Sequence, residues 1–148
     1  MFLIESYTGG IHMEKWEAAY LAGIIDGEGS ITLTRLHQSE NRRPCISISS
    51  TDKELLIYIQ DLVGGGNINN KKNYKPDKHK DSYTLYFKKK NDVYLILKEI
   101  YPFLKIPQKK KRAYFILNKY DSVTLRNGKY SKALLKNKLL FEEQFFKL

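Results

Sequence analysis

Two hydrophobic rhythms alternate along the chain. Residues 14–19 are mostly good helix formers, and Leu21, Ile24 and Ile25 continue them with an apolar side that predicts a helix running into Ile25 or Asp26. From Ser30 to Leu36 the rhythm changes to strict alternation. Ile31 and Leu33 face one way and Ser30, Thr32 and Thr34 the other, as in a half-buried strand. After a polar loop, residues 43–50 alternate again, with Ile46 and Ile48 toward a core and Arg43, Cys45, Ser47 and Ser49 away from it. These two strands form a hairpin. Thr51-Asp52-Lys53-Glu54 has capping-box spacing and opens a second helix striped by Leu55, Leu56, Ile59, Leu62 and Val63. Gly64-Gly65-Gly66 ends it, and no Gly-Lys-Ser/Thr follows to make a phosphate loop. Residues 67–72 predict a third strand with Asn69 and Lys71 on its polar side. Residues 82–88 predict a fourth, with Leu85 and Phe87 inward and Thr84, Tyr86 and Lys88 outward.

Beyond the strands, Asp92 is placed to cap a helix over 93–100 that Pro102 stops. Pro107 suits the first turn of a helix reaching Lys119. Ser131 caps a last helix, whose Leu134, Leu135, Leu139, Phe141, Phe145 and Phe146 are expected to pack on the body. Helix–strand–strand thus occurs twice, followed by helices. The fold class is α+β: one curved antiparallel four-stranded sheet with helices on one face and polar side chains on the other. A face of Ser, Thr, Asn, Lys, Arg and Tyr suits base edges and phosphates in a major groove; a solvated surface is the plain alternative. A chain of 148 residues supports one domain, assigned to 13–148, with 1–12 an N-terminal extension of no assigned role.

Charge narrows the partner. Lys and Arg number 26 against 16 Asp and Glu, a net charge of +10 with a pI near 9.5. That balance implies a polyanion, nucleic acid first. The run Lys109-Lys110-Lys111-Arg112 opposes the dipole at the start of its helix, which a bound phosphate would justify; a solvated basic run or a localisation signal is the alternative. No segment has the length of a membrane span or the form of a signal peptide. A single Cys45 excludes an intramolecular disulfide and a cysteine-based metal cage, and fits an intracellular, reducing compartment. Cytoplasm and organelle matrix are not told apart.

The chemistry concentrates at the end of the first helix. Ala19, Gly23 and Gly27 recur every four residues, a stripe without bulk that lets another backbone come close. Asp26 and Glu28 stand where the helix dipole disfavours acids, by about 0.3–1 kcal/mol each. A hard cation is the simplest reason to keep them there, and a glycine cap with two solvated acids is the bland reading. Gly27 and Gly29 are expected to let the backbone leave the helix in left-handed or open conformations.

The run Leu21-Ala22-Gly23-Ile24-Ile25-Asp26-Gly27-Glu28-Gly29 resembles the motif that names the LAGLIDADG homing endonucleases, with six of nine letters identical. The resemblance implies an α-β-β-α-β-β-α fold with extra C-terminal helices. With one motif per chain it implies a homodimer in contact through Ala19, Gly23 and Gly27, its sheets straddling double-stranded DNA. It implies a double-strand break in a long, roughly palindromic site by metal-dependent phosphodiester hydrolysis, with Mg²⁺ or another divalent cation. Glu28 is then the metal-binding acid, Gly27 lends a carbonyl, and Asp26 braces the turn after the helix. Ser50 stands where the family often has Gln, and is short for that task. The family's late-helix lysine falls on Lys109 when counted back from Ala113 and on Pro107 when counted forward from 102–104; Lys109 is preferred because a helix keeps register. Lys53 is a further candidate near the phosphates. The DNA-reading set is Ser30, Thr32, Thr34, Arg43, Ser47, Ser49, Asn69, Lys71, Thr84, Tyr86 and Lys88. The alternative is an intron maturase of the same fold that binds intron RNA and does not cut.

Overall fold

The computed structural model describes residues 13–148; the extension at 1–12 lies outside the described residues. The elements are α1 (Lys15–Glu28), β1 (Gly29–Thr34), β2 (Arg43–Ser50), α2 (Lys53–Val63), β3 (Asn67–Asn70), β4 (Tyr83–Phe87), α3 (Lys90–Ile100), α4 (Pro107–Lys119) and α5 (Lys132–Phe146), with 3-10 turns at Tyr101–Phe103 and Asp121–Val123. The four strands form one antiparallel sheet in the order β1-β2-β4-β3.

Register explains the two faces. Ile31, Ile46 and Phe87 lie in one row across the sheet, and Ile48, Leu85 and Ile68 in the next. All but Ile68 are fully buried, against Leu21 and Ile25 of α1, Leu56 and Ile59 of α2, Ile96 and Leu97 of α3 and Ile116 of α4. At roughly 1.5–3 kcal/mol per buried aliphatic side chain, this one-sided core fixes which way every strand faces. The other parity puts Ser30, Ser47, Tyr86 and Asn67 in one row and Ser49, Thr84 and Asn69 in another.

Several boundaries differ from expectation. Helix α1 does not stop at Asp26 but runs through Gly27 to Glu28, and neither Gly27 nor Gly29 takes a positive φ. Gly29 is required for space instead: a Cβ there would stand 2.7 Å from Ile25 Cα. The capping box at Thr51 does not form. Asp52 is the N-cap of α2 without a side-chain cap bond, and its own N–H donates to Ser50 Oγ at 2.9 Å. Strand β3 ends at Asn70, although the Lys71 N–H still donates to Ser82 O. Helix α3 starts at Lys90, so Asp92 sits in its first turn rather than capping it; its carboxylate lies where a Gly65 Cβ would be, 2.6 Å from Oδ2.

Helix α5 is capped by Ser131 Oγ, which accepts the Leu134 N–H at 3.2 Å. Its buried side is Lys138, Phe141, Glu142 and Phe145, whereas Leu135, Leu139 and Phe146, expected inside, are exposed. The helix carries two apolar stripes, and Phe115 decides between them by stacking on Phe141 with ring centroids 5.0 Å apart.

Candidate metal centre and nucleic-acid interface

A helix leaves its last four carbonyls without intrahelical donors, and α1 has no basic residue in its last turn to meet them. The donors come from α4. Lys109 Nζ donates to Ile25 O and to Asp26 O, each at 2.7 Å, and the Gly29 N–H also returns to Ile25 O. In exchange, α1 caps α4. Asp26 Oδ2 accepts the Lys105 N–H at 2.8 Å and Oδ1 the Ile106 N–H at 3.2 Å, at the residues leading into Pro107. The two helix ends thus hold each other: an acid of α1 at the positive end of α4, a lysine of α4 at the negative end of α1. Asp26 braces the entry to α4, not the turn after α1.

With Asp26 occupied, the exposed acid of the motif is Glu28, the last residue of α1. Among the described residues no three His, Cys, Asp or Glu side chains gather into a cation site. The donor set still suits a hard cation. Glu28 brings carboxylate oxygens and Gly27 a carbonyl of the last helical turn, and Mg²⁺ is commonly held by one or two carboxylates with waters and substrate phosphates. The strand register runs β2 past the start of β1, with Gly29 opposite Ile48 and Ser50 two residues further on, opposite Tyr83 of β4. Ser50 Oγ is taken by the Asp52 N–H, and Ser50 shares the parity of the core residues, so it lies off the open polar face. Lys53 is exposed at the start of α2, its ammonium 5.3 Å from the Tyr83 ring centroid.

The small-residue stripe is open. Ala19, Gly23 and Gly27 are exposed, and a Cβ built on either glycine meets nothing within 4 Å among the described residues. Trp16 and Tyr20 flank it, 66% and 49% exposed, with Tyr20 edge-on to Tyr58 of α2.

The polar sheet face gathers Ser30, Thr32, Thr34, Arg43, Ser47, Ser49, Asn69 and Tyr86 on one parity, with Lys71 and Lys88 just beyond the strand ends. Thr84 belongs to the same face but is buried, paired with Ser49 through a 2.9 Å hydroxyl contact, so Ser49 is the more accessible of the two. Cys45 also has outward parity yet is buried, and desolvation raises its thiol pKa against the lowering influence of Thr34 and Lys88.

Three cations of the run 109–112 meet protein groups. Besides Lys109, Lys110 lies over the Tyr101 ring at 5.2 Å. Arg112 Nη1 donates to Ile31 O at 3.0 Å on the outer edge of β1, and its guanidinium lies 4.8 Å over Phe145. Burial lowers the Arg112 pKa, and its Nε is buried without a hydrogen-bond partner among the described residues. Only Lys109 is singled out by the motif; its neighbours divide between facing rings, strand edge and solvent. Reasoning from sequence missed Lys138, fully buried, which donates to Thr124 Oγ1 at 2.6 Å and lies 4.2 Å over Tyr120. Desolvation lowers its pKa to about 8, with Glu142 and Asp121 acting in the opposite direction. No local signal distinguishes it from the exposed lysines at 132 and 136.

Comparison with known proteins adds a family context. A family model described as a LAGLIDADG-like domain matches residues 15–101. The intron-encoded DNA endonuclease ai2b of Dictyostelium discoideum is 27% identical over 118 residues, covering 80% of this chain and 44% of its own length. The chain thus spans less than half of that relative. Among solved structures, the homing endonuclease I-CvuI in complex with its target superposes with a TM-score of 0.65 at 16% identity, over 90% of this chain and 82% of its own. The archaeal intron-encoded homing endonuclease I-Vdi141I, complexed with DNA, gives 0.61 at 17% identity over 91% and 85%. These two likenesses establish the fold.

Proposed function

Since the chain belongs to the LAGLIDADG-like domain family, we propose that it is a site-specific DNA endonuclease working as a homodimer on a long, roughly palindromic duplex site. The observation that carries this reading is the pairing of an exposed Glu28 at the end of α1 with a stripe on the same helix that no side chain among the described residues covers. Two α1 helices meeting along Ala19, Gly23 and Gly27 bring two Glu28 carboxylates toward one dyad, and a two-fold protein asks for a two-fold site. The sheets then present two copies of the polar face to the major groove, where Ser30, Thr32, Ser47, Asn69 and Tyr86 read base edges and Arg43, Lys71 and Lys88 meet phosphates.

In this reading Glu28, through its carboxylate, and Gly27, through its carbonyl, are the groups that would hold a divalent cation. Such an ion, when bound, activates water and neutralises charge on the phosphate and the leaving oxygen. Lys109 serves by holding the carbonyl end of α1, and with it the backbone that carries Glu28, and by adding a positive charge behind the site. Lys53 lies beyond the end of β2 as a phosphate contact, and Ser50 supports the turn that places it. The related ai2b and I-CvuI, named as endonucleases, support the activity. The retained acid at Glu28 favours cutting over a purely RNA-binding maturase role. The test is a cleavage-based selection: incubation of a randomised or genomic duplex library in Mg²⁺, then recovery of cut ends. One recurrent, roughly two-fold sequence is expected; intact DNA under every divalent metal would overturn the reading.

A further inference from the structure

The strand that leaves the motif is an edge of the sheet. β1 is bonded to β2 on one side, and its other side lies at the margin. Carbonyls along such a margin need donors from outside the sheet. One donor comes from α4: Arg112 Nη1 donates to Ile31 O at 3.0 Å. Lys109 stands three positions earlier on the same helix, so the two side chains leave α4 toward one side. Its Nζ donates to Ile25 O and Asp26 O, each at 2.7 Å. One face of α4 therefore holds the main chain two and three residues before Glu28 and again three residues after it.

Between these two clamps the chain is tight. The Gly29 N–H returns to Ile25 O, and a Cβ on Gly29 would stand 2.7 Å from Ile25 Cα. Ile25 and Ile31 bury their side chains on either side of the turn. Glu28 is exposed in the middle of this span, so the backbone on its two sides is what aims its carboxylate. Arg112 is kept there against a cost. Its guanidinium lies 4.8 Å over the ring of Phe145, a fully buried side chain. Its Nε is buried without a hydrogen-bond partner among the described residues, and desolvation lowers its pKa. An apolar side chain would pack on Phe145 without stranding a donor. What arginine adds is a planar, pre-organised donor, held by the ring and aimed at one carbonyl.

We propose that Arg112 is a positioning residue for cleavage: with Lys109 it fixes the backbone on both sides of Glu28, and so the place where that carboxylate stands. This role rests on the endonuclease reading above. It acts through Ile31 and not by contact with DNA.

Two measurements test it, and the first needs neither metal nor DNA. Amide exchange of the whole chain is followed in wild type and in Arg112→Met. Gly29 should speed up roughly tenfold more than Leu85, which has a strand on each side and reports on global opening. The second is the single-turnover cleavage rate in Mg²⁺, beside duplex affinity in Ca²⁺, on a site recovered by selection. Arg112→Met should cut about ten- to a hundredfold more slowly at unchanged affinity. Arg112→Lys keeps the charge and a donor without the planar fork, and should fall between the two in both measurements. Should Arg112→Met not fold, Arg112→Lys carries the comparison with wild type. Gly29 and Leu85 speeding up alike, or a variant that cuts at the wild-type rate, would leave Arg112 a cover for the β1 edge and overturn the positioning role alone. A wild-type protein that cuts no duplex under any divalent metal would overturn the endonuclease reading and this role with it.

Discussion

Replacing Asp26 by Ala removes both hydrogen bonds that the α1 carboxylate makes to the entry of α4, 2.8 Å to the Lys105 N–H and 3.2 Å to the Ile106 N–H. Bonds to a charged group contribute about 1.5–3 kcal/mol each when buried, but this one is solvent-accessible, and helix caps cost about 0.5–2 kcal/mol when removed. A loss of about 1–3 kcal/mol follows, with part of it from charge at the positive end of α4. Asp26→Asn keeps one acceptor and turns an amide toward an N–H, so it should lose about 1–2 kcal/mol. Lys109→Met strips the donor from Ile25 O and Asp26 O and should cost a similar amount. Because both side chains fasten the same junction, the double variant should cost less than the sum of the two, with a coupling of about 1 kcal/mol. Urea unfolding of wild type and the four variants at one protomer concentration measures this, since a dimer's apparent stability depends on concentration. An Asp26→Ala protein within about 0.5 kcal/mol of wild type, or strict additivity, would refute the reciprocal clasp.

Gly29→Ala should destabilise by about 1–3 kcal/mol in thermal unfolding, because the new methyl meets Ile25 backbone at 2.7 Å, while Gly27→Ala, with open space around it within one chain, should leave the fold of the chain intact and weaken only the dimer. Gly23→Leu should give a folded chain that light scattering finds at 17.4 kDa, against about twice that for wild type, since an open stripe tolerates the side chain until a second helix approaches. Lys138 has a folded pKa of about 8 below its ordinary 10.5, so above pH 8 the unfolded chain holds a proton the folded one has shed, and its share of stability rises with pH. The stability advantage of Lys138→Met over wild type should therefore shrink by roughly 2 kcal/mol between pH 8 and 9.5 in urea titrations; comparing the two proteins cancels the titration of Cys45, and a constant difference would contradict the buried ammonium.

The strand faces were legible because alternation needs only neighbours: Ile31, Leu33, Ile46, Ile48, Leu85 and Phe87 all point inward as their spacing predicts. Gly64 ends α2 in the left-handed conformation at φ 79°, as a glycine after an apolar stripe should. Long-range partners were not legible. Nothing near Asp26 tells that its carboxylate reaches residues 105 and 106, and the same distance in sequence hid the reason for Lys109. Gly29 reads as a flexible exit from the helix, but the requirement is a steric one that exists only once α1 turns into β1 over Ile25. In α5, Leu135 and Leu139 are as apolar as Phe141 and Phe145, so only packing against Phe115 and Arg112 chooses the inner face and buries Lys138 there. The candidate site was legible as a motif, and its supports were not.

The central claim is that the Glu28 carboxylate holds the metal for DNA cleavage. Glu28→Gln keeps the side-chain shape and removes the anionic ligand, and relieves an acid at the negative end of α1, so folding should survive. The measurement is a cleavage time course in Mg²⁺ on a site recovered by selection, beside a binding titration on the same duplex in Ca²⁺. Glu28→Gln should bind as tightly as wild type or tighter, with cleavage slower by orders of magnitude. A Glu28→Gln protein that cuts at the wild-type rate would contradict it.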